Sequence, residues 1–91
     1  MLYMVRMQVN LPPDMSSDMA ERIKAKEKEY SQGLQRSGKW VHIWRVVGQY
    51  ANVSIFDARD HDELHEMLSG LPLFPWMQID VTPLARHPSA I

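Results

Sequence analysis

Cysteine is missing from all 91 residues, which removes disulfide staples, thiolate catalysis and Cys-ligated zinc together. Charge of one sign is lacking as well. Lys and Arg nearly balance Asp and Glu, and a net charge of −1 creates no field that would draw a phosphate backbone or an anionic lipid surface. Nucleic acid and membrane are therefore not expected as partners. No apolar run approaches a membrane-spanning length, and strand-like alternation from Leu2, interrupted by Arg6, does not read as a signal peptide. A cytoplasmic protein is the expectation. Repeats, low-complexity tracts and linkers are absent, so residues 1–91 read as one domain, with 84–91 as a C-terminal tail.

Apolar material is what the chain has in quantity. Hydrophobic residues make up 45% of it, including seven Met and three Trp, whereas a domain of this size buries only about 60% of its extended surface. That excess over one small core predicts self-association. Alternation over Leu2 to Val9 predicts a first strand, stopped by Pro12-Pro13. Ser16 or Ser17 can cap a helix running to about Ser37, with Gly38 as its left-handed terminator. Strands on either side of Gly48-Gln49 follow. Asp60 and Glu63 open a short helix carrying Leu64, Met67, Leu68 and Leu71, and Met77 to Thr82 alternate as a last strand. The order βαββαβ is the ferredoxin-like α+β arrangement: a four-stranded antiparallel sheet with two helices on one face, expected to oligomerise through the other.

Two features point to chemistry. If the Gly48-Gln49 turn has two residues, Val47 pairs with Tyr50, Arg45 with Asn52 and Ile43 with Ser54 on one face, while Trp40, His42, Trp44, Val46, Ala51, Val53 and Ile55 form the other. A guanidinium, an amide and a hydroxyl amid apolar neighbours have the make-up of a small-ligand pocket, with Arg45, Asn52, Ser54 and Tyr50 as substrate-binding candidates. A structural polar network is the plainer explanation, and a bulge at Gly48 would change which residues share the face. On the first helix, Ala20, Ile23, Glu27, Tyr30 and Leu34 recur at the steps of one buried stripe. A carboxylate among Ile, Tyr and Leu loses hydration, so the pKa of Glu27 is expected to rise toward the range of a general base. Its ordinary alternatives are a snorkelling edge residue or an ion pair with Lys24 or Arg45. Glu21 and Glu29 lie off the stripe among Arg22, Lys26 and Lys28 and read as solvated charges.

Other signals are weaker. His61 and His65 in HDELH have metal-helix spacing, but Asp62 stands where a zinc protease motif needs Glu and no third ligand follows, so no metal is expected. His42 reads as an interface histidine. Tyr50-Ala51-Asn52-Val53 partly echoes an RNA-recognition strand but lacks its stacking aromatics and basic surface.

Taken together, MLYMVRMQVNLP at the start, LQRSGKWVHIWRVVGQYANVSIFD at 34–57 and HDELHEMLSGLPLFPWMQIDVTPLARHPS at 61–89 resemble the muconolactone Δ-isomerase family across the chain. The resemblance implies a ferredoxin-like subunit, a large homo-oligomer (a decamer built from dimers), no cofactor, and a catalytic glutamate at Glu27 by its place in the KxxEK run. It also implies a cofactor-independent proton shift in a butenolide. Muconolactone loses a proton from C4 and gains one at C2 through a dienolate, becoming the β-ketoadipate enol-lactone of catechol degradation. Close relatives of that family act as 5-chloromuconolactone dehalogenases. A non-catalytic small-molecule-binding domain is the more distant alternative.

Overall fold

The computed structural model describes all 91 residues, in the order β1 (Leu2–Val9), α1 (Ser17–Arg36), β2 (Trp40–Arg45), β3 (Ala51–Asp57), α2 (His61–Ser69), a 3-10 turn (Phe74–Trp76) and β4 (Met77–Leu84). The strands form one antiparallel sheet in the order β2-β3-β1-β4, with both helices on one face. This is the ferredoxin-like fold expected from the element order. No helix is long and apolar enough to cross a membrane.

Alternation in β1 turns Tyr3, Val5, Met7 and Val9 toward the helices, and all four are buried. Tyr3, Val5 and Met7 join Phe56 from β3 and Leu64, Met67, Leu68 and Leu71 from α2 and its exit in the core. The caps form as the sequence predicts. Ser16 accepts from the Met19 amide at the start of α1, Asp60 accepts from the Glu63 amide at the start of α2, and Gly38 follows α1 at φ +80°. The Glu63 side chain reaches back one residue further than a regular capping box, to the Arg59 amide, and also pairs with Lys39 at 2.9 Å.

Gly70 ends α2 at an ordinary φ of −80°, so positive φ is not its purpose. A Cβ there would lie 2.5 Å from the Tyr30 hydroxyl, which donates to the Met67 carbonyl at 2.8 Å. The missing side chain lets α1 and α2 be joined by that bond.

Three hairpin and strand details depart from expectation. Arg45 pairs with Asn52 and Ile43 with Ser54 as predicted, but the strands end at Arg45 and resume at Ala51. The turn spans Val46 to Gln49, closed by the Gln49 amide on the Val46 carbonyl, with Gly48 at φ +78°, so Val47 and Tyr50 are loop residues rather than a ladder pair. The bulge lies at the far end of β2, between Trp40 and His42, and not at Gly48. Its extra residue, Val41, moves Trp40 from the outer face to the helix face, where it is buried against Phe56 with ring centroids 4.6 Å apart. Finally, β4 runs through Pro83 to Leu84, a proline that an edge strand tolerates.

The outer sheet face carries Leu2, Met4 and Trp44, each between about two-fifths and just over half exposed, beside half-buried Val53 and Ile55. His42 stacks on Trp44 there, with centroids 5.0 Å apart.

Candidate active site

The predicted stripe of α1 faces the sheet, yet not one of its residues is fully buried. At Glu27 the stripe borders a cavity of about 400 Å³ between the middle of α1 and the end of the sheet where β1 and β2 finish and β3 and β4 begin. Its volume suits a small ligand. Glu27, Arg45, Asn52 and Tyr50 all line it, together with Lys24, Lys28, Ser31, Trp40, Leu73 and Met77. Four of the five residues singled out from sequence thus converge on one space.

Glu27 points into this cavity. One carboxylate oxygen accepts a hydrogen bond from the Leu73 amide at 2.9 Å, and no Lys or Arg lies within ion-pair distance of it. Lost hydration raises its pKa above the usual carboxylate value, and the Leu73 N–H counters part of that rise. Neither alternative reading of Glu27, an ion pair with Lys24 or Arg45 or a snorkelling edge residue, describes its position. The other oxygen is free of protein partners and available to take a proton.

Ser54 is placed differently from the expectation. It is fully buried beneath the cavity wall, does not line the cavity, and donates its hydroxyl to Asn52 Oδ1 at 2.7 Å. Because Ser54 occupies the amide oxygen, the Asn52 NH₂ is left as the group to present to a ligand. Ser54 is therefore a support for Asn52 and not itself a donor to whatever enters.

Positive charge gathers at one end of the cavity. The Lys24 ammonium lies 5.4 Å from the Tyr50 ring centroid and the Arg45 guanidinium 5.5 Å from it, so one aromatic ring carries two cations. Tyr50 is itself anchored through its backbone, whose carbonyl accepts from the Val9 amide at 3.0 Å. Desolvation, reinforced by the Glu27 charge and opposed by Arg45, raises its phenol pKa, which keeps the hydroxyl protonated as a donor. Arg6, Lys39 and Arg86 are not among the residues that line the cavity. Arg6 bonds Gln8 and Gln49, Lys39 is paired with Glu63, and Arg86 is in the exposed tail.

Lys28 and Ser31 were not expected at the site, and Lys24 was expected only as an ion-pair partner of Glu27, although a signal existed. With Glu27 they occupy positions i, i+3, i+4 and i+7 of one helix face, so the polar edge of the stripe was marked as clearly as its apolar centre. Lys28, grouped from sequence with the solvated charges, belongs to the cavity wall. Trp40 was hidden by the bulge, and the Leu73 amide has no side-chain signature at all.

His61 and His65 lie outside this cavity. His61 Nδ1 is 2.6 Å from the buried Tyr3 hydroxyl, so this histidine, exposed like His65, is also the partner of a core phenol.

Comparison with known proteins places this geometry among relatives. The family model described as muconolactone delta-isomerase matches residues 1–90. The muconolactone Delta-isomerase of Cupriavidus pinatubonensis (strain JMP 134 / LMG 1197) is 66% identical, covering 100% of this chain and 99% of its own. Muconolactone Delta-isomerase 1 of Acinetobacter lwoffii is 64% identical over 100% of this chain and 95% of its own. A crystal structure of muconolactone isomerase at 3.3 Å resolution superposes with a TM-score of 0.95 at 53% identity, covering 100% of this chain and 95% of that one.

Proposed function

Since this chain belongs to the muconolactone delta-isomerase family, we propose that its cavity carries out that family's proton shift with Glu27 as the single acid–base group. The protein is an isomerase acting on a small lactone. Isomerase names on its relatives favour proton return to the ring over loss of chloride. The observation that carries the site assignment is Glu27, half-buried and without a counter-ion, held by one backbone N–H on the cavity wall.

The substrate's carboxymethyl group sits at the cationic end, with Arg45 and Lys24. That places the lactone ring under Glu27. The free carboxylate oxygen removes the C4 proton, the electron pair moves through C3 and C2 onto the lactone carbonyl oxygen, and the protonated carboxyl returns a proton to C2. The C2=C3 bond has then become C3=C4, with no net change in atoms or electrons. Positioned proton transfer of this kind is worth about 10²–10⁴ in rate. The Asn52 NH₂, aimed by Ser54, lines the space where negative charge develops on the lactone oxygen.

The uncovered outer sheet face, with Leu2, Met4 and Trp44, supports assembly of several copies through it. Light scattering should then give a mass several-fold above the 10.6 kDa chain.

The deciding experiment is Glu27→Gln, which keeps the shape and the acceptor for the Leu73 amide. The expected result is loss of turnover on muconolactone by at least about 10²-fold with a much smaller change in KM. Turnover near that of the parent in the folded variant would remove Glu27 from the chemistry.

A further inference from the structure

Trp40 combines three properties that its position alone does not require. Only 2% of it is exposed, it lines the Glu27 cavity, and its indole Nε1 is the one buried side-chain polar atom in the chain without a hydrogen-bond partner. An unpaired buried donor has lost its hydration without replacement, so folded proteins rarely leave one. A Phe in the same place would pack against Phe56 at no such cost. The chain instead reaches this arrangement through a specific device, the Val41 bulge, which turns Trp40 from the outer face into the cavity wall.

The cavity has two unlike ends. At one, Lys24 and Arg45 flank the Tyr50 ring, and both Arg45 and Tyr50 are solvent-exposed. Trp40 and Leu73 are buried wall residues, at 2% and 3% exposure. A lactone that leaves its carboxylate with the cations turns its ring, and the ring's carbonyl oxygen, toward the buried wall. We infer that the Trp40 indole N–H donates to the lactone carbonyl oxygen and, with the Asn52 amide, forms a two-donor site for the negative charge of the dienolate. This rests on the proton-shift reading given above. A neutral N–H in a dry wall suits the task, because it strengthens as charge grows on the oxygen and offers no proton to the carbanion.

Two measurements test it. Trp40→Phe keeps an aromatic ring against Phe56 and deletes the donor, and removal of one such donor is expected to lower kcat by about 10²-fold. KM should move only a few-fold and the melting temperature should not fall in proportion. Independently, the unaltered protein gives three indole ¹⁵N–¹H resonances, one for each Trp. Saturation with 5-oxotetrahydrofuran-2-acetate, which keeps the lactone and the carboxylate but lacks the ring double bond, should move the Trp40 signal downfield. A folded Trp40→Phe variant whose kcat stays within three-fold of the parent (about 0.65 kcal/mol) overturns the inference. So does a Trp40 indole resonance that the saturated lactone leaves in place, a result that decides the matter even if the variant does not fold. Loss of turnover in Glu27→Gln alongside either of those results would leave the proton-shift reading standing and remove only the role of Trp40.

Discussion

Adding a single carbon at Gly70 tests how the two helices are held together. The new Cβ would stand 2.5 Å from the Tyr30 hydroxyl, 3.1 Å from Tyr30 Cζ and 3.3 Å from the Glu66 carbonyl oxygen, so the phenol must leave the Met67 carbonyl. The lost hydrogen bond is worth about 0.5–1.5 kcal/mol. Overpacking against the ring adds about 1–3 kcal/mol. Replacing glycine returns about 0.4–1 kcal/mol through the unfolded chain, because the φ of −80° suits alanine. Gly70→Ala should therefore destabilise by about 2 kcal/mol, or roughly 8–16 °C in melting temperature for a domain of this size. Thermal melts and urea titrations at one fixed protein concentration measure it. The diagnostic form is a cycle with Tyr30→Phe. With the hydroxyl already gone, Gly70→Ala should do far less harm, giving a coupling of about 1 kcal/mol or more. A neutral Gly70→Ala, or effects of the two changes that simply add, would refute the claim that this glycine exists to admit Tyr30.

Two further outcomes follow from the cavity. Glu27 has a raised pKa in the folded state, so ionised Glu27 detracts from stability. The penalty is absent below the unfolded carboxylate value, grows as pH rises from there to the folded value, and is constant above it. Glu27→Gln should accordingly raise the melting temperature at neutral pH and leave it unchanged in acid, and a difference independent of pH would contradict the burial argument. The acidic limb of kcat/KM in the parent should lie above the ordinary carboxylate range for the same reason. Arg45→Ala should raise KM for muconolactone a few-fold, up to about five-fold, while leaving kcat nearly unchanged, with Lys24→Ala acting in the same direction, since an exposed ion pair is worth about 0.2–1 kcal/mol. An unchanged KM in both variants would move the carboxylate to another part of the cavity.

Local physics made much of this structure legible in the sequence. The alternation of β1, the Ser16 and Asp60 caps and the terminating Gly38 each depend on a few adjacent residues, and each appears where its pattern placed it. The i, i+3, i+4 periodicity of α1 brought Glu27 to the sheet side for the same reason. Pairing of Arg45 with Asn52 and Ile43 with Ser54 was also readable, because the register survives a longer turn when the total count of residues between the strands is unchanged. What could not be read depends on distant parts of the chain. The Val41 bulge reflects packing of Trp40 on Phe56, sixteen residues later, and strand periodicity has no term for it. The depth of Ser54 depends on its neighbour Val5 in β1, and the amide that tethers Glu27 comes from Leu73, whose contribution is a backbone group that every non-proline residue owns.

That tether has a mechanical consequence. A carboxylate clamped at one oxygen can still swing the other through a short arc, as a gate swings on its post. Two carbons of a flat five-membered ring, separated by one atom and presented on the same side, both fall within such an arc. The post is a main-chain amide, so no side-chain replacement at position 73 other than proline removes it, and the stroke of the gate is fixed by the path of the chain.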